Sequence, residues 1–158
     1  DSEVSKFSDI ESSILFMSQN IYESLGNLNL YLQVVEGYFS TLDSTSILFI
    51  KFHPREQEEE RKAVIRIAEK YHLAFHILSA QMNIPVEYYL QYMKFKEIVT
   101  FFSSTAMYNG YLFPEMKFTF LLRPFYDLCK ICNEKNISQL ENLLSLLDSC
   151  QNKQKINA

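Results

Sequence analysis

Apolar residues recur at steps of three or four from Ile10 to Leu42: Ile10, Ile14, Met17, Ile21, Leu25, Leu28, Leu32, Val35, Phe39 and Leu42. Such spacing gathers side chains on one face of an α-helix, and at about 100° per residue all ten fall within about 100° of arc. Ser8 followed by Glu11 supplies a capping-box start. The stripe keeps its phase across Gly26, so it predicts one helix over about 8–42, roughly 35 residues long. Gly26 and Gly37 each cost about 1 kcal/mol relative to Ala in a helix, which leaves a break near Gly26-Asn27 as the alternative.

The rest of the chain reads the same way. Residues 43–53 form a connector in which Ile47-Leu48-Phe49-Ile50 is either a short helix or an extended apolar stretch. Pro54 suits a first helical position. Glu56, Glu58, Glu59 and Glu60 crowd the positive end of the helix dipole, with Arg61, Lys62 and Arg66 at ion-pair spacing, so this charge run reads as helix electrostatics. The predicted helix covers 54–82 and stops before Pro85. Further helices are expected over 85–109, 114–133 with a kink at Pro124, and 138–150 behind the capping box Ser138 to Glu141. Residues 151–158 form a polar tail. Only three Gly and four Pro leave few turns for a many-stranded β-sandwich or barrel. The expected fold is all-α: an elongated antiparallel bundle of about five helices in a single domain over 1–150.

Composition narrows the function classes. Thirteen Phe and ten Tyr argue against disorder. A net charge of −4 argues against a nucleic-acid partner. Residues 1–50 hold one Lys against seven acids, an acidic face for the first helix. Cys129, Cys132 and Cys150 are an odd set without a disulfide framework, which points to a reducing compartment, cytoplasm or nucleus. No run of eighteen apolar residues offers a membrane span. A chain opening on Asp1 reads as a segment of a larger intracellular protein.

Candidate chemistry is sparse. No Gly-rich phosphate loop and no nucleophile elbow is present. On the 85–109 helix two apolar arcs appear, one through Tyr88, Tyr92 and Phe95, the other through Tyr89, Leu90 and Met93. A helix with two apolar faces is central in its bundle or shared with a partner, and Tyr suits an interface because its hydroxyl can stay wet. Tyr88, Tyr89, Tyr92 and Phe95, with the aromatic loop Tyr108, Tyr111 and Phe113, are therefore the expected interface. Glu97 on the same helix is a candidate buried carboxylate. His72 and His76 at i, i+4, with Cys129 and Cys132 as C-x-x-C, form a possible zinc set, although the cysteines sit in an apolar run. The reading that follows is a non-enzymatic interaction or scaffold module that uses no cofactor or metal and binds a partner helix or itself through its aromatic-rich helix faces, with the Ile10–Leu42 stripe as the expected coiled-coil-like seam for dimerisation. The alternative is a small zinc or enzymatic domain built on His72, His76, Cys129 and Cys132.

Overall fold

A computed structural model describes residues 13–78, 84–104, 107 and 116–156. It overturns the all-α bundle. The core is a five-stranded parallel sheet in the order β3-β2-β1-β4-β5. The strands are β1 (Ser13–Met17), β2 (Ile47–Lys51), β3 (Ala74–Ile77), β4 (Glu97–Thr100) and β5 (Lys117–Phe120). The helices are α1 (Tyr22–Leu25), α2 (Leu28–Phe39), α3 (Glu58–Lys70), α4 (Val86–Tyr92), α5 (Leu122–Ile131) and α6 (Ile137–Ile156). Among the described residues no helix is long and apolar enough to cross a membrane.

The expected helix over 8–42 is a strand followed by two helices. A parallel strand covered on both faces is apolar at every position, so it satisfies a helical stripe and a strand equally well. Ile14, Leu15 and Phe16 are all buried: Ile14 and Phe16 join the core under α2, and Leu15 joins the opposite one. Past the break near Gly26 the stripe does mark a helix. Asn27 caps α2 by accepting from Asn29 N at 2.8 Å, and Leu30, Tyr31, Val34, Val35 and Phe39 form its buried face. The expected helix over 54–82 resolves into α3 and β3. α3 starts at a capping box between Gln57 and Glu60, and Lys62 pairs with Glu59 at 3.0 Å, so the charge run from Glu58 onward is helix electrostatics. The helix over 85–109 is α4 plus β4, and the helix over 114–133 is β5 plus α5. Pro124 does not kink α5, because it lies in the first turn, where its missing N–H has no intrahelical partner to lose. α6 begins at Ile137, so Ser138 lies inside it, and continues to Ile156.

Two apolar layers flank the sheet. One is formed by α1, α2, α3, α5 and α6 against Ile14, Phe16, Leu48, Ile50 and Val99. The other is formed by α4 (Val86, Tyr89 and Leu90) with Met93 and Phe95 against Leu15, Phe49 and Ile98.

Two glycines in the first layer behave oppositely. A Cβ on Gly26 would lie 2.7 Å from Cζ of the buried Phe125 ring, whereas one on Gly37 meets nothing within 4 Å. Gly26→Ala is expected to destabilise the protein by about 2 kcal/mol through overpacking. Gly37→Ala is expected to stabilise α2 by about 0.5–1 kcal/mol. Urea midpoints at unchanged m-value check both.

Candidate functional site

All five strands are parallel, so their carboxyl ends line one edge. From β1 the chain builds outward through β2 to β3, then returns to place β4 on the other flank of β1. The helices of these connections pack on opposite faces, α2 and α3 on one and α4 on the other. Where they part lies the topological switch point outside the ends of β1 and β4, the place where open α/β sheets form their ligand crevice.

Three strand exits meet there. β1 ends in Ser18-Gln19-Asn20, β2 in Phe52-His53-Pro54 and β4 in Phe101-Phe102-Ser103. The Gln19 side chain bridges β1 to β4: its Oε1 accepts from Phe102 N at 2.7 Å and its Nε2 donates to Phe102 O. Ser18 N donates to Lys51 O at 2.9 Å, continuing the β1–β2 ladder past the strand end. Beneath this edge lies Glu56, only 4% exposed. Its Oε1 accepts from Ser18 Oγ at 2.5 Å and its Oε2 from His53 N at 2.6 Å. Ser18 Oγ lies 2.8 Å from the Tyr31 hydroxyl, which accepts from Gln19 N at 3.2 Å. Because the Ser18 proton goes to Glu56, the Tyr31 hydroxyl donates to Ser18. Every bond then runs one way, from Gln19 N–H through Tyr31 and Ser18 to the Glu56 carboxylate.

Burial dominates the electrostatics of this edge. It pushes Glu56 up to about 7, against the hydrogen bonds from Ser18 and His53 N that favour the anion; Glu60 raises it further and Arg61 lowers it. Burial, with the Glu56 charge nearby, also raises the Tyr22 and Tyr31 phenols above their ordinary range. Lys51 is lowered by burial, with Glu87 opposing. His53 is lowered first by burial and then by the charges of Arg55 and Lys51. Its Nδ1 accepts from Arg55 N at 3.3 Å, so the neutral ring carries its proton on Nε2 and can donate it. Thr100, fully buried at the end of β4, has a hydroxyl without a hydrogen-bond partner among the described residues. The edge thus combines an imidazole N–H, an ammonium and a clamped backbone, a set suited to an anionic group. The β1–α1 turn contains no glycine, so this is not the glycine-rich cradle of dinucleotide-binding folds.

The residues singled out from sequence lie elsewhere. Tyr89 and Phe95 are buried in the α4 layer, while Tyr88 and Tyr92 are exposed on α4 with their rings 5.1 Å apart. Tyr108, Tyr111 and Phe113 lie outside the described residues. His72 and His76 do not share a helix. His72 stops α3 in the left-handed region (φ 54°), and His76 lies on β3 with its ring 5.3 Å from that of Phe49. Cys129 is buried and Cys132 exposed, and among the described residues no three His, Cys, Asp or Glu side chains are grouped to hold a metal. Glu97 is buried at the start of β4, paired with Lys117 at 3.0 Å and accepting from the Thr119 hydroxyl, far along the strand from the crevice. The sequence places Glu56 with Glu58, Glu59 and Glu60 in the first turns of a helix, whereas it is buried ahead of that helix. The signal that separates it is its place ahead of the capping residue Gln57, outside the helix.

A family model described as Alpha-2,8-polysialyltransferase (POLYST) matches residues 5–122. That is about three quarters of the 158 residues, and the chain belongs to this family. Comparison with curated proteins gives no match. The family match overturns the reading of a non-enzymatic, coiled-coil scaffold, and it favours the enzymatic alternative, though not through the His72, His76, Cys129 and Cys132 set named for it.

Proposed function

We propose that this chain, as a member of the alpha-2,8-polysialyltransferase family, carries out sugar transfer, adding a sialyl residue from an activated donor to a sialic acid acceptor at the β1/β4 crevice. The bond formed joins the anomeric C2 of the donor sugar to O8 of the acceptor. The bond broken is that from C2 to the donor's leaving group, which departs as an anion with the electron pair, while the proton of the acceptor hydroxyl passes to solvent. Such a step needs an anionic leaving group held and its developing charge met. The Nε2–H of His53 and the ammonium of Lys51, on the loop and strand end beside the crevice, are the groups suited to that task. Glu56 is too enclosed to touch an acceptor, because both of its oxygens are already engaged.

The observation that carries this reading is one of extent. The matched segment runs from ahead of β1 to the first residue of α5, so it takes in all five strands and every loop of the crevice. The test is to incubate the protein with cytidine-monophosphate-activated sialic acid and an α-2,8-linked sialic acid oligomer, and to follow oligomer length by anion-exchange chromatography. Stepwise lengthening is expected. Folded protein that leaves the oligomer unchanged and does not consume the donor would overturn the reading. Gln19→Ala, which unclamps β1 from β4, is expected to lower turnover about tenfold by loosening the reacting geometry, as read by steady-state kinetics.

A further inference from the structure

We infer that Glu56 is a positioning residue of the crevice, a buried carboxylate that fixes the His53-Pro54 turn and the β1 exit relative to each other; this rests on the β1/β4 crevice being the site of sugar transfer. The geometry behind it is a junction of three elements on one side chain. Glu56 receives His53 N from the β2 exit and Ser18 Oγ from the β1 exit, and through Ser18 it orders the α2 residue Tyr31, which in turn holds Gln19 N. Gln19 passes the restraint to β4 through both bonds to Phe102. One carboxylate therefore sets the spacing of all three strand exits that frame the crevice.

The restraint depends on charge. As an anion Glu56 accepts at both oxygens, and each donor in the chain has a taker. When protonated, it must turn one oxygen into a donor. If that oxygen donates to Ser18, either Ser18 donates to Tyr31 and the Tyr31 proton loses its present acceptor, or Ser18 accepts from both and its own proton loses the acceptor that Glu56 provided. If the other oxygen is protonated, it confronts His53 N–H. The charged and titratable groups facing Glu56 are Tyr22 of α1, Tyr31 of α2, Glu60 and Arg61 of α3, and His53 of its own loop. Both hydrogen bonds that Glu56 accepts among the described residues come from neutral donors, Ser18 Oγ and His53 N, so the carboxylate remains titratable.

The test uses the whole protein and two variants. Glu56→Gln keeps the size of the side chain and removes its charge, and Ser18→Ala cuts the chain while leaving the charge. Donor KM and kcat are measured from pH 5.5 to 8.5, together with amide exchange at His53 and Gln19. In the wild type, kcat/KM for the donor rises with pH as Glu56 ionises. Glu56→Gln is expected to lose that rise and about tenfold in kcat/KM at pH 8, with faster exchange at His53, while melting cooperatively. Ser18→Ala is expected to keep the rise and to speed exchange at Gln19. A folded Glu56→Gln with the wild-type pH profile overturns the inference. Should Glu56→Gln not fold, unchanged exchange and kinetics in Ser18→Ala overturn it instead. A wild-type protein without transfer sinks the assigned activity; the positioning of the three exits is then decided by exchange alone, where unaltered His53 and Gln19 protection in both variants counts against it.

Discussion

Tyr31→Ala is expected to cost about 3–5 kcal/mol, enough to unfold most of a domain whose total stability lies in the usual range of about 5–15 kcal/mol. Tyr31 is fully buried on α2. Its ring stacks on Phe101 at 4.4 Å and meets Tyr22 and Phe125 edge-on at 4.8 and 6.4 Å. Removing it empties the joint between α1, α2, α5 and the β4 exit, because all three partners are themselves nearly or fully buried and cannot collapse into the gap. It also removes the hydroxyl on which Ser18 and Gln19 N converge. Tyr31→Phe separates the two contributions. It keeps the ring and is expected to cost only about 1–2 kcal/mol for the lost hydrogen bonds. Urea unfolding of both variants, followed by near-ultraviolet circular dichroism, gives the comparison. A Tyr31→Ala protein within 1.5 kcal/mol of wild type would mean that the aromatic joint is not what holds α2 to the sheet.

The same joint explains why the sequence misled over its first forty residues. Ile14, Met17 and Ile21 continue the helical spacing of Leu25 to Phe39 by coincidence of step, because a doubly covered strand offers an apolar residue wherever a helix would need one. What distinguished the strand was Leu15 and Phe16, which fill the positions a helical stripe leaves polar. The tetrapeptide Ser-Ile-Leu-Phe occurs at 13–16 and again at 46–49; the first copy lies in β1 and the second leads into its neighbour β2 one residue out of register, with Ser13 paired to Ile47. β3, β4 and β5 are four residues each, too short for their alternation to outweigh the helical signal on either side. Some helix boundaries were more legible: the break near Gly26 and the acid-rich start of α3 each have a local cause in the chain, whereas the stop expected from Pro85 was misplaced, because α3 ends at Lys70 and β3 follows it. The site was not legible, because it consists of strand exits. Ser18, Gln19, His53 and Glu56 carry no spacing pattern, and they meet only after three parallel strands have been set side by side. The aromatic residues of α4 drew notice for their composition, yet composition alone did not separate Tyr89, which packs on the sheet, from Tyr92, which does not.

Raising the pH from about 4.5 to about 7 is expected to cost the fold about 3 kcal/mol through Glu56 alone, and Glu56→Gln is expected to abolish that loss. Burial lifts this carboxyl from its ordinary 4.5 to about 7 in the folded protein. Below 4.5 it is protonated folded or unfolded and makes no difference. Between 4.5 and 7 the unfolded chain releases the proton while the folded chain keeps it, so the folded state binds more protons and stability falls as pH rises. Above 7 both states are ionised and the loss is complete. His53 acts in the opposite sense near its own titration, since a lowered imidazole makes the fold gain stability as pH rises. Wild type must therefore be compared with Glu56→Gln at each pH, where the His53 contribution is common to both. The free-energy difference between the two proteins should move toward the variant as pH climbs to 7 and then level off. A difference that stays flat from pH 4.5 to 8 would mean that Glu56 titrates normally, and that the enclosure by Ser18, Tyr31 and the His53 turn does not persist in solution.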